Sequence, residues 1–388
     1  MRRDYDYIVV GLGGIGSGAA YWLARRAGAD VLGLEQFELG HERGASEDHS
    51  RIIRLAYHRP EYVELAKKAF EAWSALESEI DDQLILFTGG LDLFPAQTSI
   101  AIETYTESLS ACAVPFEVLD AGAAMKRWPQ FMLPGDIAVL WQATGGIAPA
   151  ARCNRAHLRA ARSHGATLRP NTRVQKIVDR GDGIELSTAD GTFTCSKLIV
   201  AADAWVNDLL GPLGIELPLT ITQEQVNYYE SPMIEEFTPS RFPVWIWHDD
   251  PEFYGMPVYG ELGVKVAQDV GGDEVTATTR TFEPNRPMLE RVEKWMEQYL
   301  PSARGPVASI KTCLYTLPPD RDLVLDSVPG HPGVLVALGA GHGFKFASLM
   351  GRILSELAVD GHTAHDLEPF KIDRPALING APPQSFTM

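Results

Sequence analysis

A chain of 388 residues exceeds what one hydrophobic core usually serves, so two domains are expected. Apolar residues make up 45% and charged residues 22%, ordinary values for a folded protein, which argues against a disordered chain. The formal charge of −17, from 34 Lys plus Arg against 51 Asp plus Glu, opposes the counterion release that nucleic acid binding requires, and argues against DNA, RNA and anionic membranes as partners.

Met1-Arg2-Arg3-Asp4 leads straight into a strand-like stretch with no leader-type apolar region, and no apolar run reaches the roughly 20 residues of a membrane span. A cytoplasmic location is therefore expected. Cys112, Cys153, Cys195 and Cys313 stand far apart without a C-x-x-C pair, so neither a metal site nor a disulfide framework is indicated.

In chain order, 6–10 is a short β-branched strand, 11–16 a glycine turn, 19–24 helix-favouring, and 31–35 a second strand: a βαβ unit. Apolar residues at helical spacing over 62–76 predict an amphipathic helix. Two strands broken at Gly89-Gly90 follow within 84–94, then a helical stretch near 100–111, where the chain first enters a second domain. Helix is expected again over 152–164. Strands at 173–179, 183–188 and 191–201, split by Asp182-Gly183 and Asp190-Gly191, form a meander whose last stretch, 197–202, is almost wholly apolar and returns to the first sheet. Strands at 225–230, 243–248 and 264–268 make an antiparallel region. Helix 289–299, apolar strand 334–339 and helix 346–357 complete the pattern, and 376–388 is expected to be loosely held.

The fold class expected is thus mixed α/β (α+β), a Rossmann-like domain with an antiparallel-sheet substrate domain. The divisions are 1–83, 140–218 and 316–388 for the first, with 84–139 and 219–315 for the second.

Gly11, Gly13 and Gly16 form a G-x-G-x-x-G between a strand and a helix, and Glu35 follows nineteen residues beyond Gly16 at the end of the next strand. Gly11 allows the tight turn, Gly13 the approach of a pyrophosphate, Gly16 close helix packing, and Glu35 can accept from ribose hydroxyls. The motif fixes a dinucleotide but does not separate FAD from NAD.

Six segments in order carry a resemblance: 11–16, Ser50-Arg51-Ile52-Ile53-Arg54, Tyr254-Gly255-Met256-Pro257, Lys265, Thr312-Cys313-Leu314-Tyr315-Thr316 and Gly341-His342-Gly343-Phe344-Lys345-Phe346. With them the chain resembles the monomeric sarcosine oxidase and N-methyltryptophan oxidase family of covalent FAD amine oxidases. The resemblance implies FAD bound through a thioether to Cys313, a small-molecule amine substrate with O2 as acceptor, and a monomer. It also implies that Arg54 and Lys345 hold a substrate carboxylate, that Arg51 sits beside the flavin, and that Lys265 promotes O2 reduction. Tyr254 and Tyr315 become cavity walls or hydroxyl donors, and Ser50 and Val174 join the cofactor contacts.

Each residue also has a plainer reading. Cys313 could be a small buried hydrophobe, Lys265 the polar face of a strand, and the tyrosines core packing. If 51–54 is helical, Arg51 and Arg54 share a face and can clamp an anion. The 341–345 loop, between strand and helix, can aim backbone N–H groups at the electron-rich edge of a reduced flavin.

Two departures from the family pattern make the expected pocket more acidic: Asp269 replaces a histidine four residues beyond the lysine, and Ala45-Ser46-Glu47-Asp48-His49 replaces a histidine-rich stretch. Trp245, Trp247 and His248 add bulk to the second domain. The function expected is FAD-dependent oxidation of an N-methyl amino acid. A cyclic imino acid oxidase or flavin dehydrogenase of the same fold, and a non-catalytic dinucleotide-binding protein, stand as alternatives.

Overall fold

The computed structural model describes residues 2–98 and 100–380. Its first sheet has eight strands. Asp4–Val10 lies at the centre, parallel to Val31–Leu34 on one side and to Gly191–Val200 on the other. His331–Leu338 adds a further parallel strand against the far half of Gly191–Val200, and Thr167–Arg169 extends the opposite edge.

The central strands are buried on both faces, so their side chains alternate between two cores. Val9, Ile199, Leu335 and Ala337 face one core with helices Gly14–Ala27, Pro60–Ile80, Ala150–Ser163 and Ala347–Asp360. Ile8, Val10, Leu198, Val200 and Val336 face the other, with Val174, Ile177, Leu186 and Phe193 of the meander. Each such strand buries several aliphatic side chains, each contributing about 1.5–3 kcal/mol.

The second sheet has nine strands, almost all antiparallel. Its one parallel pairing joins Val244–Trp247 to Gly90–Phe94, with Ile246 opposite Asp92. Trp245 and Trp247 point away from the first domain and pack on helix Arg286–Tyr299, where the Trp245 and Trp295 rings stack at 4.7 Å. They are core, not cavity bulk. A small sheet of Arg51–Ile53, Gly146–Ala148 and Leu86–Phe87 sits between the two large ones.

Several sequence expectations change here. Residues 51–53 form a strand, not a helix, because Ile52-Ile53 finds a partner in Gly146–Ala148, with Ile52 buried against Val244 and Met256 and Ile53 in the helix-covered core. Strand Ala138–Gln142 lies wholly in the second sheet, and Val307–Leu317 runs beyond 315. Within the tail, Pro375–Asn379 is a short helix that buries Ala376 and Leu377, while 381–388 fall outside the described residues. Among the described residues no helix is long and apolar enough to cross a membrane.

Candidate active site

One elongated cavity begins at the C-terminal ends of the parallel strands and ends under the second sheet. At its first end the chain leaves strand Asp4–Val10, turns at Gly11 and enters helix Gly14–Ala27. Gly11 has a φ of +88°, and its N–H donates to the Leu34 carbonyl at 2.9 Å. A Cβ on Gly16 would lie 1.8 Å from the Gly11 oxygen, so neither position admits a side chain. No side chain caps the helix and its first turn carries no acid, which suits an anion at its N-terminus. The Glu35 carboxylate accepts from the Leu12 N–H at 2.8 Å and the Phe37 N–H at 3.1 Å, pinning the turn from the neighbouring strand. A carboxylate has about four acceptor sites, so capacity remains for two ribose hydroxyls.

Midway, Asp48 collects the cations. Its carboxylate receives Lys265 Nζ at 2.6 Å, the Tyr228 hydroxyl at 2.7 Å, Lys311 Nζ at 3.3 Å and Arg51 at 3.4 Å. Burial opposes ionisation of Asp48, but Lys265 and Arg51 overcome it and hold the carboxyl well below its usual range. Lys265, 1% exposed, also donates to the Ser50 carbonyl at 2.9 Å. Burial brings its ammonium down to about 8, against the pull of Asp48. Cys313 lies on strand Val307–Leu317, where alternation puts Lys311, Cys313 and Tyr315 on one face. Burial pushes its thiol up to about 11 despite Arg51 and Lys265 nearby.

The far end holds Arg54, Ile246, Glu252, Tyr254, Asp269, Tyr315, Arg321, His342 and Lys345. Arg54 is buried and pairs with Asp92 at 2.6 Å, its guanidinium 4.7 Å from the Tyr57 ring centre. Arg321 pairs with Asp269 at 2.8 Å. Lys345 follows the turn after strand His331–Leu338 and donates to the His342 carbonyl at 2.9 Å. Burial, with Arg54 close by, lowers its ammonium to about 7. His342 is held neutral by burial and Lys345, and one ring nitrogen meets the Arg321 carbonyl at 2.9 Å.

This geometry has counterparts among known proteins. The model for FAD dependent oxidoreductases (DAO) matches residues 6–357. The chain belongs to that family. Monomeric sarcosine oxidase of Arthrobacter sp. (strain TE1826) is 33% identical over 382 residues, covering 97% of this chain and 98% of that protein. N-methyl-L-tryptophan oxidase of Escherichia coli O9:H4 (strain HS) is 30% identical over 381 residues, covering 95% and 99%. Among solved structures, the open form of the Tyr258Phe mutant of NikD, an unusual amino acid oxidase of nikkomycin biosynthesis, superposes with a TM-score of 0.85 at 28% identity, covering 95% and 97%. As a member of this family the chain is an FAD-dependent oxidoreductase, and a non-catalytic role is excluded.

Of the residues singled out from sequence, Gly11, Gly13, Glu35, Arg51, Arg54, Val174, Tyr254, Tyr315 and Gly341–Lys345 line the cavity. Gly16 packs beneath the turn. Ser50, Lys265 and Cys313 do not line it. Ser50 and Lys265 lie against the Asp48 cluster, and Cys313 is close enough to feel its charges. Arg51 and Arg54 reach the cavity from a strand and its end, rather than from one helix face. Three residues absent from the sequence reading belong to the far end, Glu252 and Arg321 in its lining and Asp92 behind Arg54, while Asp48, noted only as an acidic departure, is the cation hub midway. His248 joins them as a buried link. Only its neighbourhood to the tryptophans had drawn notice in the sequence, and no local spacing signals its partners.

Proposed function

We propose that this enzyme oxidises a secondary N-methyl amino acid, with the carboxylate held by Arg54 and Lys345 and the amine toward Tyr254 and Tyr315. The observation that carries this reading is that the cations Arg54 and Lys345 line the same cavity as the glycine turn 11–14 and Glu35. The names of the similar sarcosine and N-methyltryptophan oxidases support the substrate class.

The residues fit FAD. Gly11 and Gly16 leave a turn with no room for side chains, Glu35 stands at the ribose position, and the cavity continues past Arg51 to the tyrosines. FAD, when bound, accepts two electrons and a hydrogen from the carbon next to nitrogen. Overall, an N-methyl amine, water and O2 become the demethylated amine, formaldehyde and H2O2. Arg54 and Lys345 fix one end of the substrate so that its reacting carbon is presented in one pose, and such orientation supplies much of the rate. Arg54 is buried and Lys345 half-buried, and the low-dielectric surroundings strengthen their hold on a carboxylate. Lys265 supplies positive charge where O2 gains electrons.

Peroxide release measured over a panel of N-methyl and cyclic amino acids tests the assignment. An N-methyl amino acid is expected as the best substrate, and exclusive turnover of a cyclic one would overturn it.

Cys313 is proposed as the covalent anchor. Acid precipitation should leave yellow colour on the wild-type chain and release it from Cys313→Ser. Colour lost from both would refute the attachment.

Lys345 gives a pH signature. Its ammonium titrates at about 7, so it is charged below that pH and loses its charge as pH rises. Affinity for a simple carboxylate that lacks an amine is therefore expected to be greatest below pH about 7 and to fall above it, to the level that Arg54 alone sustains. Spectral titration of the holoenzyme measures this, and Lys345→Met should flatten the profile.

A further inference from the structure

Arg54 and Glu252 both line the far end of the cavity, and a buried chain of hydrogen bonds joins them behind its wall. Arg54 donates to Asp92 Oδ1 at 2.6 Å, His248 Nε2 meets the same oxygen at 2.8 Å, and His248 Nδ1 meets Glu252 Oε2 at 3.2 Å. His248 is fully buried, and both its nitrogens face carboxylates. Burial alone would keep the ring neutral, but Asp92 and Glu252 raise its affinity for a proton. With a carboxylate at each nitrogen, the protonated ring donates to both Asp92 and Glu252. Glu252 is thereby gripped through Oε2, and His248 makes no use of Oε1.

A carboxylate here is unexpected if the cavity only binds a carboxylate. Glu252 lies close enough to Arg54, Arg321 and Lys345 to favour the charged form of each. The remaining charged and titratable groups around it are His248, Asp92, Tyr105 and Asp269, the last donating its backbone N–H to the Glu252 carbonyl at 2.9 Å. Charges match in pairs: Arg54 with Asp92, Arg321 with Asp269, His248 with Glu252. Among the described residues Lys345 makes no ion pair, which leaves a single positive charge in excess. That excess suits the carboxylate of a bound amino acid. In water the same molecule is a zwitterion, and with an alkylammonium titrating near 10 only about one amine in a thousand is neutral at pH 7. The amine must shed a proton before its lone pair can assist loss of hydrogen from the neighbouring carbon.

We propose that Glu252 takes this proton, with His248 and Asp92 as positioning residues that fix its carboxylate against the Arg54 end of the cavity. The proposal rests on the reading of the substrate as an amino acid. In the step, the substrate N–H bond breaks, its electron pair stays on nitrogen, and an O–H bond forms on Glu252. The proton returns to water after product leaves. Lys345 shows what an ammonium meets in this cavity, since its own is lowered to about 7. A substrate ammonium beside the same cations is likewise weakened in its hold on the proton.

The test uses the FAD-loaded enzyme and its anaerobic bleaching by an N-methyl amino acid. In Glu252→Gln the bleaching rate at pH 7 should fall by about 100-fold and climb about tenfold per pH unit towards the wild-type rate, as solvent supplies free amine. Methoxyacetate, which keeps the carboxylate but has no amine, should bind Glu252→Gln about tenfold more tightly than wild type, because a like charge has been removed. A purely structural role would weaken both, and an unchanged pH profile in Glu252→Gln would overturn the proposal. Should that variant not hold FAD, His248→Gln is read instead, with a smaller loss and the same rise with pH expected and an unaltered profile refuting it. A wild-type enzyme that no amino acid bleaches would instead refute the substrate assignment.

Discussion

Replacing Lys265 with methionine is expected to slow the consumption of O2 by the reduced enzyme by about 10²–10³-fold, while its anaerobic reduction by substrate changes little. The expectation follows from where the charge sits. Strand Val264–Gln268 is a central strand buried on both faces, with Lys265 between Tyr228 and Met256 of its neighbours. A lysine there is costly unless paired, and Asp48 pairs it at 2.6 Å. Methionine matches its length and removes the charge together with the hydrogen bonds to Asp48 and the Ser50 carbonyl. Asp48 keeps Tyr228, Lys311 and Arg51, so the loss of stability should stay below the 3–5 kcal/mol of about the worst orphaned buried ion. Stopped-flow mixing of the reduced enzyme with O2 measures the rate, and an unchanged rate would remove Lys265 from the oxygen step. The same cluster sets the pH range. Lys265 holds its proton to about 8 with the help of Asp48, so its contribution is present below that pH and fades above it.

The sequence carried the cofactor end of this molecule well and the substrate end only in part. Gly11, Gly13, Gly16 and Glu35 are read from spacing because one βαβ unit places them, and that unit is local in sequence. The apolar run 198–201 likewise announced a strand covered on both faces, with Ile199 in one core and Leu198 and Val200 in the other. Arg51 and Arg54 were harder, because a separation of three suits a helix and the deciding partner, Gly146–Ala148, lies nearly a hundred residues away. The relay is further still from view. Asp92 and His248 meet because Gly90–Phe94 pairs in parallel with Val244–Trp247, a contact across more than 150 residues that no periodicity announces. Asp48 shows the same limit. Its loop reads as a departure from a family pattern, yet folding brings two lysines, an arginine and a tyrosine to one carboxylate. Long-range pairing of single polar residues leaves no trace in hydrophobic pattern, which is what local reading uses.

Arg54→Met should weaken binding of an amino acid substrate by about 30- to 5,000-fold, corresponding to the roughly 2–5 kcal/mol lost when one partner of a buried, hydrogen-bonded charge pair is truncated. Two effects combine in that figure. The substrate loses its strongest planar partner, and the buried Asp92 loses its Arg54 ion pair while keeping His248 at 2.8 Å. Arg54→Lys should restore little, since an ammonium cannot serve Asp92 and a second carboxylate through one rigid fork. The decisive control is an N-methylamine of similar bulk with no carboxylate. Wild type should oxidise it poorly, and Arg54→Met should oxidise it about as well as wild type does, because neither enzyme gains a carboxylate contact. A loss as large for that amine as for the amino acid would mean that Arg54 supports the cavity through Asp92 and Tyr57 rather than by holding substrate. Lys345→Met should cost less than Arg54→Met at pH 8, where the lysine is already largely uncharged, and the gap between the two should narrow as pH falls through about 7.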